Sequence, residues 1–191
     1  MQQQTWHNLP FDMDTMYDGN YYNGNEGKSN YHGYEDDNRF GLHYNAIKSL
    51  FNPTSVLEVG CARGFVIKLL NDNGIYSVGV DTSTWAVSKR VHENVIRCNV
   101  ANGLPFKDNE FDLVCSFDFL EHIPEVCVQF VVDEIKRVGK RSYHSIYEKR
   151  GGGDTDVTHV TLKPMDWWIE KFGIDKSKRC NENTTYLCWE E

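Results

Sequence analysis

The chain has 191 residues, 40% of them hydrophobic and 25% charged, which is enough for one domain with a sizeable core and too little for two of ordinary size. Its formal net charge of −8, with Lys and Arg scattered rather than clustered, disfavours nucleic acid as a partner. The six cysteines lie mostly inside apolar runs without C-x-x-C spacing, no window approaches about 18 apolar residues, and MQQQTWHNLP lacks a basic stretch followed by an apolar one, so the expectation is a reduced, cytoplasmic protein with no membrane segment.

Residues 1–41 read as an arm or lid and 42–191 as the folded domain. The stretch 17–41, YDGNYYNGNEGKSNYHGYEDDNRFG, mixes Gly, Asn and Asp with five tyrosines and shows neither helical nor strand period. Of these, Tyr21, Tyr22, Tyr31 and Tyr34 are candidates to line a lid over a ligand, or to anchor a polar arm. From His43 the pattern becomes regular. A helix runs to Phe51 and stops at Asn52-Pro53, and an apolar strand follows from Ser55 to Gly60. Gly64 opens a helix carrying Phe65, Val66, Leu69 and Leu70, closed by Asn73-Gly74.

A strand from Tyr76 to Asp81 leads into Thr82-Ser83, good caps for a helix through Trp85, Ala86 and Val91. Strands at Val95–Val100, Phe111–Asp118 and about Ser142–Tyr147 continue the alternation, the last two separated by a helix from Pro124 to Val138. Beyond a Gly151-Gly152-Gly153 hinge come a helix from Pro164 to Phe172, stopped by Gly173, and a closing strand from Thr184 to Trp189. There is no internal repeat. Such alternation with short connections predicts a single α/β domain with a doubly wound, mostly parallel sheet and a ligand at the carboxyl ends of its strands.

The sharpest local signal is VLEVGCARG, residues 56–64, where two glycines follow an acid-bearing apolar run. A dinucleotide fingerprint G-x-G-x-x-G would need glycines where Ala62 and Phe65 stand, which disfavours a nicotinamide cofactor. Four stretches instead resemble the S-adenosylmethionine-dependent methyltransferases with Rossmann-like cores, over roughly residues 42–172. They are VLEVGCARG, VGVD ending at Asp81, Cys98-Asn99-Val100 before LPFKDNEFD, and Phe111-Asp112-Leu113-Val114 through Asp118. The resemblance implies S-adenosyl-L-methionine as cofactor. It places Glu58, Gly60, Cys61 and Gly64 around the methionine half, Asp81 and Thr82 at the ribose, Asn99 and Val100 at the adenine, and Phe117 at the strand end facing the methyl group. Asn99 stands where the family carries an acid, and its amide oxygen can still accept a hydrogen bond.

Candidates on the acceptor side cluster in Asp118-Phe119-Leu120-Glu121-His122 and in Asp156-Val157-Thr158-His159. Methyl transfer to a hydroxyl needs alignment and removal of a proton, a role open to His122 or His159, with Glu121 as a third catalytic candidate. On a helical turn Asp118, Glu121 and His122 would converge with metal-ligand spacing, similar to the E-x-x-E-H of metal-dependent O-methyltransferases, and His159 is a positional candidate for a further ligand of a divalent metal, Mg or Zn. A structural role for the same residues stays open. The reading is O-methylation of a small polar acceptor such as a sugar or nucleotide-sugar. The alternatives are metal-assisted methylation of a vicinal diol or catechol, and a non-catalytic partner subunit that retains the fold.

Overall fold

The computed structural model describes residues 16–25, 29, 31–148, 156–174, 177–179 and 184–190. The glycine hinge at 151–153 lies outside them. In chain order the elements are α1 (Gly19–Asn23), α2 (Asn38–Leu50), β1 (Ser55–Val59), α3 (Phe65–Asp72), β2 (Tyr76–Asp81), α4 (Thr84–Ser88), β3 (Val95–Arg97), β4 (Leu113–Phe117), α5 (Glu125–Val138), β5 (Arg141–Tyr147), α6 (Met165–Phe172), β6 (Ser177–Arg179) and β7 (Thr184–Glu190).

The period of two in β1 decides how the sheet is covered. Val56 packs with Phe40 and Ile47 of α2 and with Phe65, Val66 and Leu70 of α3 on one face. Leu57 and Val59 pack with Val128, Val131 and Ile135 of α5 and with Trp168 and Phe172 of α6 on the other. Both faces are therefore buried, which is why β1 and β4 read as near-continuous apolar runs rather than alternating ones. The spatial order is β3-β2-β1-β4-β5-β7-β6, with every neighbour from β3 to β5 parallel and with β7 antiparallel to both β5 and β6. The chain leaves β1 toward β2 and later returns to β1's other side with β4. The crevice between the ends of β1 and β4 is the switch point at which such sheets bind ligands.

The mostly parallel doubly wound sheet agrees with the expectation, and several boundaries differ. The segment 17–41 is not wholly irregular, because Asp18 accepts the Asn20 and Tyr21 amides at 3.0 and 3.1 Å and caps α1. Likewise α2 begins at Asn38, not His43, because the Asp37 carboxylate accepts the Arg39 amide at 2.9 Å. The helix expected through Val91 ends at Ser88, and the strand expected to reach Val100 ends at Arg97. There the Asn99 side chain accepts the Ala101 amide at 3.0 Å and starts a 3-10 turn at Val100–Asn102. Phe111 makes a single bridge to Gly139 outside β4, and β6 has no counterpart in the expectation. Among the described residues no helix is long and apolar enough to cross a membrane.

The Asp37 cap gives a stability test. Asp37→Ala removes a side-chain cap from a 13-residue helix and is expected to lower unfolding free energy by about 0.5–2 kcal/mol in urea denaturation, with Asp37→Ser losing less. An unchanged midpoint for Asp37→Ala would contradict the cap.

Candidate functional site

The loop after β1 is built by alternating left-handed residues. Gly60, Ala62 and Gly64 have φ of 76°, 48° and 81°. A Cβ on Gly60 would meet the Phe119 ring at 2.3 Å, and one on Gly64 would meet Val95 at 2.2 Å, so close approach as well as backbone angle demands glycine at both. The Gly60 and Cys61 amides both donate to the Val80 carbonyl, at 2.8 and 3.1 Å, which pins this loop to β2. At the end of β2 the Asp81 carboxylate accepts the Ala62 amide at 2.7 Å on one oxygen and the Ser83 amide at 2.8 Å on the other. Burial pushes its pKa up to about 6 despite those hydrogen bonds. Ala62, which breaks the dinucleotide pattern, thus supplies the amide that fixes Asp81.

A pocket opens over these strand ends. Of the expected cofactor residues, Gly60, Asp81, Thr82, Asn99, Val100 and Phe117 line it. Glu58, Cys61 and Gly64 do not. Cys61 is buried with Ile67 and Val95, its sulfur lying where a Gly79 side chain would be. Glu58 is 5% exposed, one of its carboxylate oxygens is buried without a hydrogen-bond partner among the described residues, and burial with the nearby Asp81 raises its pKa well above the ordinary value. The Phe117 wall is backed by His43, whose ring stacks at 3.8 Å.

The arm roofs the pocket. Tyr17, Tyr21, Tyr22, Tyr31 and Tyr34 all line it, the first three buried. Tyr22 stacks on Trp85 of α4 at 5.0 Å, the Ser83 hydroxyl donates to the Tyr17 carbonyl at 2.6 Å, and Arg63 donates to the Tyr34 carbonyl at 2.7 Å. The arm is therefore fastened to the two loops that follow β1 and β2.

Val59, Ala62, Val80 and Cys98 also line the pocket, as do Asp118, Phe119, His122 and Ile123. The segment is not the α-helical turn the spacing predicts. Asp118 is left-handed (φ 49°), and a 3-10 turn covers Leu120–His122. This geometry sends the Asp118 carboxylate to the Ser145 hydroxyl at 3.1 Å rather than to His122. Glu121 is fully buried behind the pocket, one oxygen accepting the Tyr147 amide at 3.1 Å and the other without a hydrogen-bond partner among the described residues; burial, then Asp118, raises its pKa. His122 has its pKa lowered to about 4, by burial first and by His159 next, so its ring is neutral near pH 7. His159 does not line the pocket, but its ring centroid lies 4.7 Å from that of His122. One ligand atom from each of Glu121, His122 and His159 falls within 4.8 Å of the others, and Asp118 is outside that group. Tyr17, Phe119 and Ile123 line the site without any signal in the sequence beyond their position in the arm and after β4.

With this geometry in view, comparison with known proteins is informative. A family model described as a methyltransferase domain matches residues 57–143. An uncharacterized protein of Methanocaldococcus jannaschii is 31% identical over 130 residues, 62% of this chain and 55% of that protein. The 18S rRNA (guanine-N(7))-methyltransferase of Bos taurus is 33% identical over 73 residues, 36% of this chain and 26% of the enzyme. The chain thus spans about half and about a quarter of the two curated relatives. A solved protein of Pyrococcus horikoshii shares the fold with a TM-score of 0.67 at 17% identity, covering 89% of this chain and 95% of that one.

The unpartnered Glu58 oxygen generates a pH test. Folding raises this pKa, so the group's contribution to stability is fully present below about 4.5, the unfolded value, and is lost as pH rises through the folded value. Glu58→Gln is expected to stabilise the ligand-free protein by about 1–3 kcal/mol near pH 8, with a smaller gain near pH 4.5, in thermal melts. A pH-independent difference would contradict the assignment.

Proposed function

The chain belongs to the S-adenosylmethionine-dependent methyltransferases with a Rossmann-like core, and on that premise we propose that it methylates an oxygen of a small, polar, uncharged acceptor. When bound, S-adenosylmethionine supplies the methyl group already activated on a sulfonium. The chain's own residues bind, orient and deprotonate. The Gly60–Gly64 loop offers close backbone approach, and Glu58, the buried carboxylate behind it, is the counter-charge for an ammonium. Asp81 has the two acceptors that a pair of ribose hydroxyls needs. Asn99 and Val100 take the adenine edge, and Phe117 and Phe119 wall the reacting end. The tyrosine arm acts as a lid that excludes water.

The observation that carries this reading is that one pocket joins Asp81 and Asn99 to a neutral imidazole, His122. In this role His122 takes the hydroxyl proton from the acceptor, with Glu121 and His159 behind it. Acceptor charge follows from the lining. None of the described lining residues is Lys or Arg, so the pyrophosphate of a nucleotide-sugar, or an RNA backbone of the kind the bovine relative's name implies, would meet no cation there. A free sugar or polyol fits better. Five free cysteines among the described residues support a reducing, cytoplasmic setting.

A second reading, a divalent metal on Glu121, His122 and His159, is favoured by their mutual distances. The test is turnover of methyl-labelled S-adenosylmethionine with panels of polyols, amines and RNA. Label is expected in a polyol and is expected to fall about 10²–10⁴-fold in His122→Ala. Turnover that survives chelation supports the base, whereas activity that disappears with chelation and returns with Mg or Zn supports the metal. Label in RNA alone, or none with any acceptor, would contradict the proposal, the latter in favour of a non-catalytic subunit.

A further inference from the structure

The strand order β3-β2-β1-β4 lays three ligand-facing positions in a row: Gly60 after β1, Asp81 at the end of β2 and Asn99 just beyond β3. A nucleoside whose ribose lies at Asp81 and whose amino-acid end lies at the glycine loop therefore carries its base toward Asn99. The turn at Asn99 spends its own oxygens. Asn99 Oδ1 accepts the Ala101 amide at 3.0 Å, the Asn99 carbonyl accepts the Asn102 amide at 2.9 Å, and the Val100 carbonyl accepts the Gly103 amide at 3.0 Å. A backbone amide can only donate, so the Ala101 contact also fixes which end of the Asn99 side chain is oxygen. The other end, Nδ2, makes no hydrogen bond among the described residues. Asn99 lines the pocket between Cys98 and Val100, neither of which has a side-chain oxygen.

We infer that Asn99 presents a hydrogen-bond donor to the base, so that the site takes a nucleoside with a 6-oxopurine at least as well as one with adenine. The inference rests on the reading that the pocket holds an S-adenosyl ligand. The 6-amino group of adenine is itself a donor and needs an oxygen opposite it. A carboxylate at this position has two oxygens, one for the Ala101 amide and one for the amine. Asn99 has one, already engaged: an amine that reaches it shares it with Ala101, and an amine on the other side meets Nδ2, donor against donor. The 6-carbonyl of hypoxanthine has the opposite polarity and accepts from Nδ2. The Val100 amide, next along the chain, is a donor as well and does not supply the missing acceptor. Affinity then comes from the ribose and amino-acid ends, at Asp81 and the glycine loop, and Asn99 decides which purine the base end admits.

The test is calorimetric titration of the full chain with S-adenosylhomocysteine and with S-inosylhomocysteine, for wild type, Asn99→Asp and Asn99→Ser. Wild type is expected to bind the inosyl ligand within about threefold of the adenosyl one, or more tightly. Asn99→Asp keeps an oxygen for the Ala101 amide and replaces the donor by an acceptor. It is expected to shift the ratio of dissociation constants about tenfold or more toward the adenosyl ligand. Asn99→Ser keeps an oxygen for the turn and lacks Nδ2, and is expected to lose affinity for the inosyl ligand alone. A wild-type preference for the adenosyl ligand beyond the threefold limit overturns the inference, and so does a ratio unchanged in both variants. Thermal melts check that the variants fold, and should Asn99→Asp fail to, the wild-type ratio and Asn99→Ser decide. A folded wild type that binds neither ligand is a separate result, which removes the cofactor reading and this inference with it.

Discussion

The hydrogen bond from the Ala62 amide to the buried Asp81 carboxylate joins the two loops on which everything else at this site stands. It links the turn after β1 to the end of β2, and its cost is visible in the raised pKa of Asp81. A carboxylate of this kind is poorly solvated by the protein alone, and a ligand offering hydroxyl donors improves its lot. The same holds for Glu58, one oxygen of which has no hydrogen-bond partner among the described residues. Two buried acids, Glu58 and Asp81, thus lie near the strand ends where the sheet topology puts a ligand, and no Lys or Arg is among the residues lining the pocket.

The tyrosine arm follows from the same frame. Its anchors are Ser83, Trp85 and Arg63, residues of the loops and helix that the Ala62–Asp81 bond aligns. Aromatic contact and a few hydrogen bonds hold it to those loops. At the far end the arm reaches Asp156 through Tyr21, and Asp156 reaches His122 through Thr158. The Asp81 and His122 ends of the pocket are thus spanned by one layer of side chains.

How much of this the amino-acid order discloses depends on the range of the interactions. The parallel core was legible because β1, β2 and β4 are apolar runs broken by Gly, Asn and Pro, and because the VLEVGCARG turn has a steric logic that a single chain can show. Six of the nine expected cofactor positions line the pocket, and the remaining three, Glu58, Cys61 and Gly64, face inward or support the loop. The helix starts at Asp18 and Asp37 were hidden in a polar stretch, where a cap looks like any other loop acid. The convergence of Asp118, Glu121 and His122 was inferred from an ideal α-helix, and the left-handed Asp118 followed by a 3-10 turn undoes that spacing. Thr158 and Asp156 gain their meaning from contacts 36 and 135 residues away, which no local pattern encodes.

The central claim is that the pocket holds an S-adenosyl ligand through Asp81. Calorimetric titration of the full chain with S-adenosylhomocysteine, for wild type and Asp81→Ala, tests it most directly. The account predicts a dissociation constant on the order of micromolar, about 8 kcal/mol of binding free energy, for the wild type and none measurable for the variant. Absence of binding by a folded wild type, or equal binding by both, would contradict it.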